Sequence, residues 1–224
     1  DPDRHAQVVI KQVEDPKLAK GLVRREVVRV YTPGTLIDTE FLFPGESHFL
    51  AAVAFSDDTV PSAKRRSVIG LACVDISTGE FWVTEFQDAR AETQLMDELA
   101  RVEPREILYP DSPANAGSCL TRLRGPRLCA QPVTSFNSKE AQQLLQTQFA
   151  VHSLDGSGCR GLSTGIGAAG AVLRYVRETQ PTASLAHLRR IHVPWNGDAM
   201  HLDNPTIRNL PLVRPLAPPV DRRG

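Results

Sequence analysis

Residues 67–86 read SVIGLACVDISTGEFWVTEF and contain two apolar runs separated by a turn. The first run, Ser67 to Val74, is dominated by Val, Ile, Leu, Ala and Cys, which is the composition of a strand covered on both faces. The second, Phe81 to Phe86, predicts a half-buried strand, and Ser77 to Gly79 supply the turn. Because a parallel pair needs a crossover of about a dozen or more residues, this short link predicts an antiparallel hairpin, which we expect at the centre of a sheet.

The residues on either side of this hairpin predict an α/β fold. A third apolar run, Phe49 to Phe55, precedes the hairpin, and Arg105 to Pro110 predicts a short strand after it. Between the hairpin and this later strand, a helix is predicted with Asp88 as its N-cap. Its four apolar residues at helical spacing are Ala91, Leu95, Leu99 and Val102. A helix that returns the chain to the same sheet is a crossover, so we expect a mixed central sheet with flanking helices.

Two strand-like runs open the chain, Gln7 to Val13 and Val23 to Tyr31. The second interleaves valines with arginines and a glutamate, which suits an edge strand or a strand with two exposed faces. Two short strands with no preceding elements to complete a core are typical of the tail of a domain. We therefore expect this sequence to be a piece of a longer protein.

Residues 137–149 predict a helix with a polar outer face. Asn137 to Glu140 has the pattern of a helix start, and the apolar residues Ala141, Leu144, Leu145 and Phe149 are expected to point inward. Gln142, Gln143 and Gln146 fall on the outer face. From pattern alone, these glutamines are as typical of a solvated helix face as of a surface that binds a partner.

A glycine-rich segment, residues 161–180, predicts a further helix that ends before Pro181. Its apolar stripe consists of Leu162, Ile166, Ala169, Leu173 and Val176. Gly165, Gly167 and Gly170 each cost about 1 kcal/mol relative to alanine inside a helix. We expect this cost to be offset by a neighbouring element that packs closely against the glycines.

The same three glycines spell Gly-x-Gly-x-x-Gly, so a dinucleotide-binding domain is one alternative function. That motif should follow a strand directly and be answered by an acidic residue about 20 positions later. Residues 157–164 are not strand-like, and no acidic residue lies between Glu178 and Asp198. The packing interpretation of the glycines is therefore favoured.

Asp75 suggests a second alternative, a metal-dependent nuclease, because it ends a central strand with Glu80 across the turn. A two-metal site needs three or four acids around ions about 3.5 to 4 Å apart, and the sequence indicates no third partner. Asp75 is better explained as a turn former that accepts hydrogen bonds from nearby amides. We predict no catalytic residue, no metal ligand and no cofactor-binding residue in this chain.

Composition limits the remaining classes of function. Lys plus Arg and Asp plus Glu both total 26, so no net charge attracts the chain to DNA or to an acidic membrane. The cysteines Cys73, Cys119, Cys129 and Cys159 form no Cys-x-x-Cys pair, which argues against a zinc site and a disulfide framework. No run is apolar enough to span a membrane, and no phosphate loop for ATP is present. We expect a cytoplasmic protein.

Five stretches of the sequence, in order, resemble blocks of the MutS family of DNA mismatch-repair proteins. They are RREVVRVYTPGT (24–35), GLACVDISTGEF (70–81), ELARVEPREILY (98–109), LDGSGCRGLSTGIGAAGAVLRYVRETQ (154–180) and MHLDNPTIRNL (200–210). The resemblance covers nearly the whole chain. It implies that residues 1–34 end the mismatch-binding domain, residues 36–195 form a connector domain with an RNase H-like sheet, and residues 196–224 begin the lever and core domain.

The resemblance also implies a role and a site. The mismatch wedge and the ATPase domain of the family are not on this chain, so we expect a non-enzymatic fragment; ATP and Mg²⁺ belong to the full-length family protein. The family's connector transmits conformational change between the ATPase and the DNA clamp and helps recruit MutL. Gln142 and Gln143 match a glutamine pair implicated in the MutL contact. The expected partners are MutL, mismatched DNA through the full-length protein, and a second MutS copy in a homodimer, but no membrane.

Overall fold

Seven β-strands and three α-helices are present in the computed structural model, which describes residues 7–12, 25–35, 48–56, 68–112, 119–181 and 183–194. The strands are β1 Gln7–Gln12, β2 Arg25–Tyr31, β3 Phe49–Phe55, β4 Ile69–Asp75, β5 Glu80–Phe86, β6 Glu106–Pro110 and β7 Arg127–Gln131. The helices are α1 Ala91–Val102, α2 Ser138–Phe149 and α3 Ser163–Thr179.

Five strands form one mixed sheet in the order β5-β4-β3-β6-β7. The pairs β3–β4 and β4–β5 are antiparallel, whereas β3–β6 and β6–β7 are parallel. The predicted α/β class and the antiparallel hairpin are confirmed. The hairpin is not at the centre, however, because the crossover through α1 returns the chain beside β3, which makes β3 the middle strand.

Strand β5 is more buried than its sequence predicted. Phe81, Trp82 and Val83 are only 1%, 3% and 0% exposed, so the expectation of a half-buried strand was wrong. The reason is that both faces of the sheet are covered by helices. Phe81 and Val83 belong to the core on the α3 side, and Trp82 belongs to the core on the α1 side with Leu95 and Leu99.

Helix α1 buries the four residues that the spacing predicted, namely Ala91, Leu95, Leu99 and Val102. Asp88 is not its N-cap, contrary to expectation. Arg90 holds the cap position without a side-chain hydrogen bond, and Asp88 has a left-handed φ of 74°. The carbonyl of Asp88 accepts the Ala91 N–H at 3.1 Å, so Asp88 lies in a backbone turn that precedes the helix.

Strands β1 and β2 pair antiparallel in a separate two-stranded sheet, with a register shift between Val9 and Ile10. The two predicted strands are thus confirmed over the residues that the structure describes. Val8 and Ile10 are 54% and 57% exposed.

The segment after α3 runs along β5. Leu185, Leu188 and Ile191 are buried, and they hold the segment against the core on the α3 side. His192 then pairs with β5, because its N–H donates to the Phe81 carbonyl at 3.1 Å and its carbonyl accepts the Val83 N–H at 2.9 Å.

The lever and core domain predicted to begin at residue 196 lies outside the described residues. Of the helices in the described part of the chain, none is both long enough and apolar enough to cross a bilayer.

Candidate functional site

The start of α2 is set by its own sequence. The Asn137 side-chain Oδ1 accepts the backbone N–H groups of Lys139 and Glu140 at 3.1 and 3.2 Å, so it satisfies two donors that the helix itself cannot pair. This confirms the predicted helix start.

The outward face of α2 carries the two glutamines on which the sequence prediction depends. Gln142 and Gln143 are exposed, and neither side chain makes a hydrogen bond within the described residues. Gln146, which was expected beside them, is only partly exposed, and its Nε2 donates to the His152 carbonyl at 2.9 Å. The row of three therefore reduces to an adjacent pair whose amide groups are available.

The inward face of α2 holds this pair at a fixed position. Ala141 and Leu145 are fully buried, whereas Leu144 and Phe149 are half-buried and pack against the same core. Gly170 of α3 lies directly against Ala141, where an added Cβ would overlap the Ala141 Cβ and lie 2.8 Å from its Cα.

Arg174 of α3 strengthens the same helix pair from the solvent side. Its guanidinium donates to Glu140 Oε2 at 2.9 Å and to the Thr134 carbonyl at 3.1 Å. The exposed pair Gln142–Gln143 therefore belongs to a helix that is held against α3 by buried packing and, at the solvent-facing edge of the contact, by the hydrogen bonds of Arg174.

The three glycines of the Gly-x-Gly-x-x-Gly pattern lie inside α3, and each contacts a neighbouring element closely. A Cβ at Gly165 would lie 2.8 Å from Val83 Cγ2, and a Cβ at Gly167 would overlap the Phe136 carbonyl. This confirms the packing interpretation. In a dinucleotide-binding loop the glycines would lie at a strand-to-helix turn. Here the Gly165 N–H instead donates to Glu85 Oε1 at 2.8 Å.

Asp75 has the turn-forming role that its context predicted. Its Oδ1 accepts the Ser77 N–H at 2.8 Å, the Ser77 hydroxyl at 2.6 Å and the Thr78 N–H at 3.3 Å. Throughout the described ranges, no group of three His, Cys, Asp or Glu side chains is arranged to hold a metal ion. The nuclease alternative needs a second and a third acidic side chain beside Asp75, and the described residues do not place such a group there.

A cavity of about 460 Å³ lies where β3 and β6 end and α2 and α3 begin. Its lining includes Phe55, Pro110, Asn137, Ser163 and Thr164. Helix starts attract anions through unpaired N–H groups. In this molecule the Asn137 and Glu85 side chains already accept amides at the two helix starts. The cavity is therefore not assigned a ligand.

The four cysteines are free thiols. Burial raises the pKa of Cys73 well above its ordinary value and raises the pKa of Cys159 to about 11. A buried neutral thiol is a poor nucleophile, so Cys73 and Cys159 are packing groups.

Glu106 is 0% exposed, and no motif in the sequence predicted it as a site residue. An acidic residue at the start of an otherwise apolar strand run is the one signal that could have identified it. Its partners, Gly34 and Tyr175, are 72 and 69 positions away in sequence, so no local pattern predicts them.

Comparison with known proteins gives a consistent result along the chain. The family model described as MutS domain II matches residues 48–189, and the one described as MutS domain I matches residues 5–40. DNA mismatch repair proteins MutS from Methanosarcina barkeri, Desulfosudis oleivorans and Symbiobacterium thermophilum are 37%, 42% and 39% identical to the chain. These alignments cover 92%, 92% and 93% of the chain but only 23%, 22% and 23% of the relatives. The chain thus spans less than a quarter of the length of each of these three relatives.

Proposed function

The chain belongs to the MutS family of DNA mismatch repair proteins, and we propose that it acts as the connector module between the mismatch-binding part and the lever and ATPase parts. In this role it transmits nucleotide- and DNA-dependent conformational change and helps recruit MutL. The proposal is supported by matches to the first two MutS domains in their order along the chain. A mixed sheet with helices on both faces suits a rigid module of this kind.

The domain boundaries are part of the proposal. Residues 1–34 are assigned to the end of the mismatch-binding domain, residues 36–195 to the connector, and residues 196–224 to the start of the lever and core domain. The separate β1–β2 sheet and the five-stranded sheet support the first boundary. The RNase H-like class of the connector and a cytoplasmic location stay predictions.

Mismatched DNA, ATP with Mg²⁺, and the homodimer are assigned to the full-length family protein rather than to these residues. The balanced charge of the chain supports weak or no DNA binding by the chain alone. We assign neither mismatch recognition nor ATP hydrolysis to it, and no catalytic residue.

The observation that carries the MutL proposal is the exposed pair Gln142–Gln143 on an anchored helix. Exposed side-chain amides provide both donors and acceptors for a partner. Because Ala141 and Leu145, on the opposite face of α2, are fully buried, binding at this pair would not require the helix to be repositioned.

A binding measurement between the 224-residue chain and MutL of the same source tests this site. Simultaneous Gln142→Ala and Gln143→Ala substitution should weaken binding at least about tenfold, the effect expected from losing important polar contacts. Gln94→Ala, which alters an exposed glutamine on α1, is the matched control and should leave binding unchanged.

Circular dichroism and the melting temperature of all variants should equal those of the parent chain, because the three side chains are exposed. Undiminished MutL binding by the double variant would exclude the site. Failure of the parent chain to bind MutL would exclude recruitment by this module.

A further inference from the structure

The turn that follows β2 is stabilised within itself. The Thr35 N–H donates to the Thr32 carbonyl at 3.0 Å, the Thr32 N–H donates to Thr35 Oγ1 at 3.2 Å, and the two hydroxyl oxygens are 2.8 Å apart. Thr32 and Thr35 are 2% and 0% exposed. Residues 32–35 are therefore bonded to one another as a closed turn, of which only Pro33 is not buried.

A carboxylate from the five-stranded sheet receives this turn. Glu106, the first residue of β6, accepts the Gly34 N–H through Oε2 at 3.2 Å. Its other oxygen, Oε1, accepts the Tyr175 hydroxyl at 2.8 Å and lies 3.5 Å from the Arg127 guanidinium. Burial, followed by the charge of Glu106, raises the pKa of Tyr175 well above its ordinary value, so this hydroxyl stays a donor.

Gln180, directly after α3, holds the turn from the other side. Its Nε2 donates to the Val30 carbonyl at 3.3 Å and to the Thr35 carbonyl at 3.1 Å. One acceptor precedes the Thr32–Thr35 turn and the other is its last residue, and Gln180 is only 2% exposed. The end of α3 thus contacts the chain both before and within the turn.

Close packing adds to these hydrogen bonds. A Cβ at Gly34 would lie 2.9 Å from the Glu106 Cβ and 2.9 Å from Leu50 Cδ1. Glycine is needed here for close approach, because any larger residue would push the turn away from β3 and β6.

We propose that Glu106, Tyr175 and Gln180 form a buried latch that holds the 32–35 turn, and with it β2, on the five-stranded sheet. The latch rests on the proposed connector function, for which it fixes the position of the β1–β2 sheet on the connector. Hydrogen bonds to a buried carboxylate are strong and costly to leave unmade. Because these bonds converge on one turn, we expect it to open as a unit while the sheet stays folded.

Three of the five stretches that carry the family resemblance supply the latch. Gly34 and Thr35 lie in residues 24–35, Glu106 lies in residues 98–109, and Tyr175 and Gln180 lie in residues 154–180. Segments that are far apart in sequence thus meet at one buried cluster.

Amide hydrogen exchange of the 224-residue chain, read by NMR residue by residue, tests the latch. Glu106→Gln keeps the size of the side chain but removes its charge. We expect exchange of the Gly34 amide to accelerate on the order of 10- to 100-fold, the effect of losing a charge-assisted bond. In the parent chain, the Cys73 amide in β4 should exchange through global unfolding, with a larger opening free energy and a steeper urea dependence than the Gly34 amide, because release of the turn leaves the sheet folded.

Tyr175→Phe and Gly34→Ala provide milder and independent tests, in case Glu106→Gln does not fold. Both should accelerate exchange of the amide at residue 34 and leave its weak urea dependence unchanged. Glu140→Gln, which removes an exposed carboxylate paired with Arg174, is the control and should leave the Gly34 rate unchanged and raise the Cys73 rate at most about fivefold, through a small loss of global stability. Unchanged exchange at residue 34 in both variants would overturn the latch, as would exchange of Gly34 in the parent chain with the same opening free energy and urea dependence as Cys73.

The exchange measurement needs no MutL, and the MutL measurement leaves the latch residues intact. The latch and the proposed MutL site can therefore fail separately.

Discussion

Gly170 shows how one side chain sets the distance between two helices. In an isolated helix, alanine is more favourable than glycine by about 1 kcal/mol. At this position the sign should reverse, because the new methyl group would overlap Ala141. We expect Gly170→Ala to lower the free energy of unfolding by about 1 to 3 kcal/mol, as overpacking does, measured by urea denaturation.

A reciprocal change should restore the packing at this contact. Ala141→Gly added to Gly170→Ala moves the methyl group from α2 to α3, so the double variant should recover most of the lost stability. Gly156→Ala, at a glycine with no atom within 4 Å of the added Cβ, should be close to neutral. A Gly170→Ala variant as stable as the parent would contradict the close-packing explanation.

At the scale of a single element, the stability of helix α2 depends on the capping of its first turn. Asn137 accepts two backbone amides there, so Asn137→Ala should lower the free energy of unfolding by about 1 kcal/mol. The Glu140–Arg174 ion pair is partly exposed, and Glu140→Gln should cost at most about 1 kcal/mol. Thermal denaturation of both variants measures the difference, and a larger loss in Glu140→Gln would show that the ion pair, rather than the cap, secures the helix.

For the molecule as a whole, buried thiols make the free energy of unfolding vary with pH in the alkaline range. The pKa of Cys159 is about 11 in the folded protein and 9.0 for an ordinary thiol, so above pH 9 the unfolded chain loses a proton that the folded protein keeps. This contribution to stability is complete below pH 9 and declines as pH rises to about 11. Per thiol, the decline is about 1.4 kcal/mol per pH unit.

Denaturant unfolding of the parent and of Cys159→Ala across this pH range isolates the thiol. The variant lacks the titrating group, so the stability difference between the two proteins should narrow as pH rises. A constant difference would show that Cys159 does not contribute to the pH dependence.

The sequence predicted local elements well because each depends on neighbouring residues. The apolar stripe of α1 and the Asn137 cap follow from spacing, and both are confirmed. The central position of β3 and the burial of β5 depend on how distant elements pack, which the hydrophobic pattern does not encode. At the candidate site, the outward direction of Gln142 and Gln143 was predictable. The partners of Glu106 were not, since they come from two other parts of the chain.

The pairing of His192 with β5 has a consequence for the behaviour of the protein in solution. Because the Val83 N–H and the Phe81 carbonyl are engaged by His192, another chain cannot use these groups as a template for intermolecular strand addition. Truncation after residue 182 removes the segment that carries His192 and would expose a strand rich in aromatic and β-branched side chains. Such a truncated protein should self-associate into β-rich aggregates, detectable by thioflavin fluorescence and light scattering, whereas the intact chain should not.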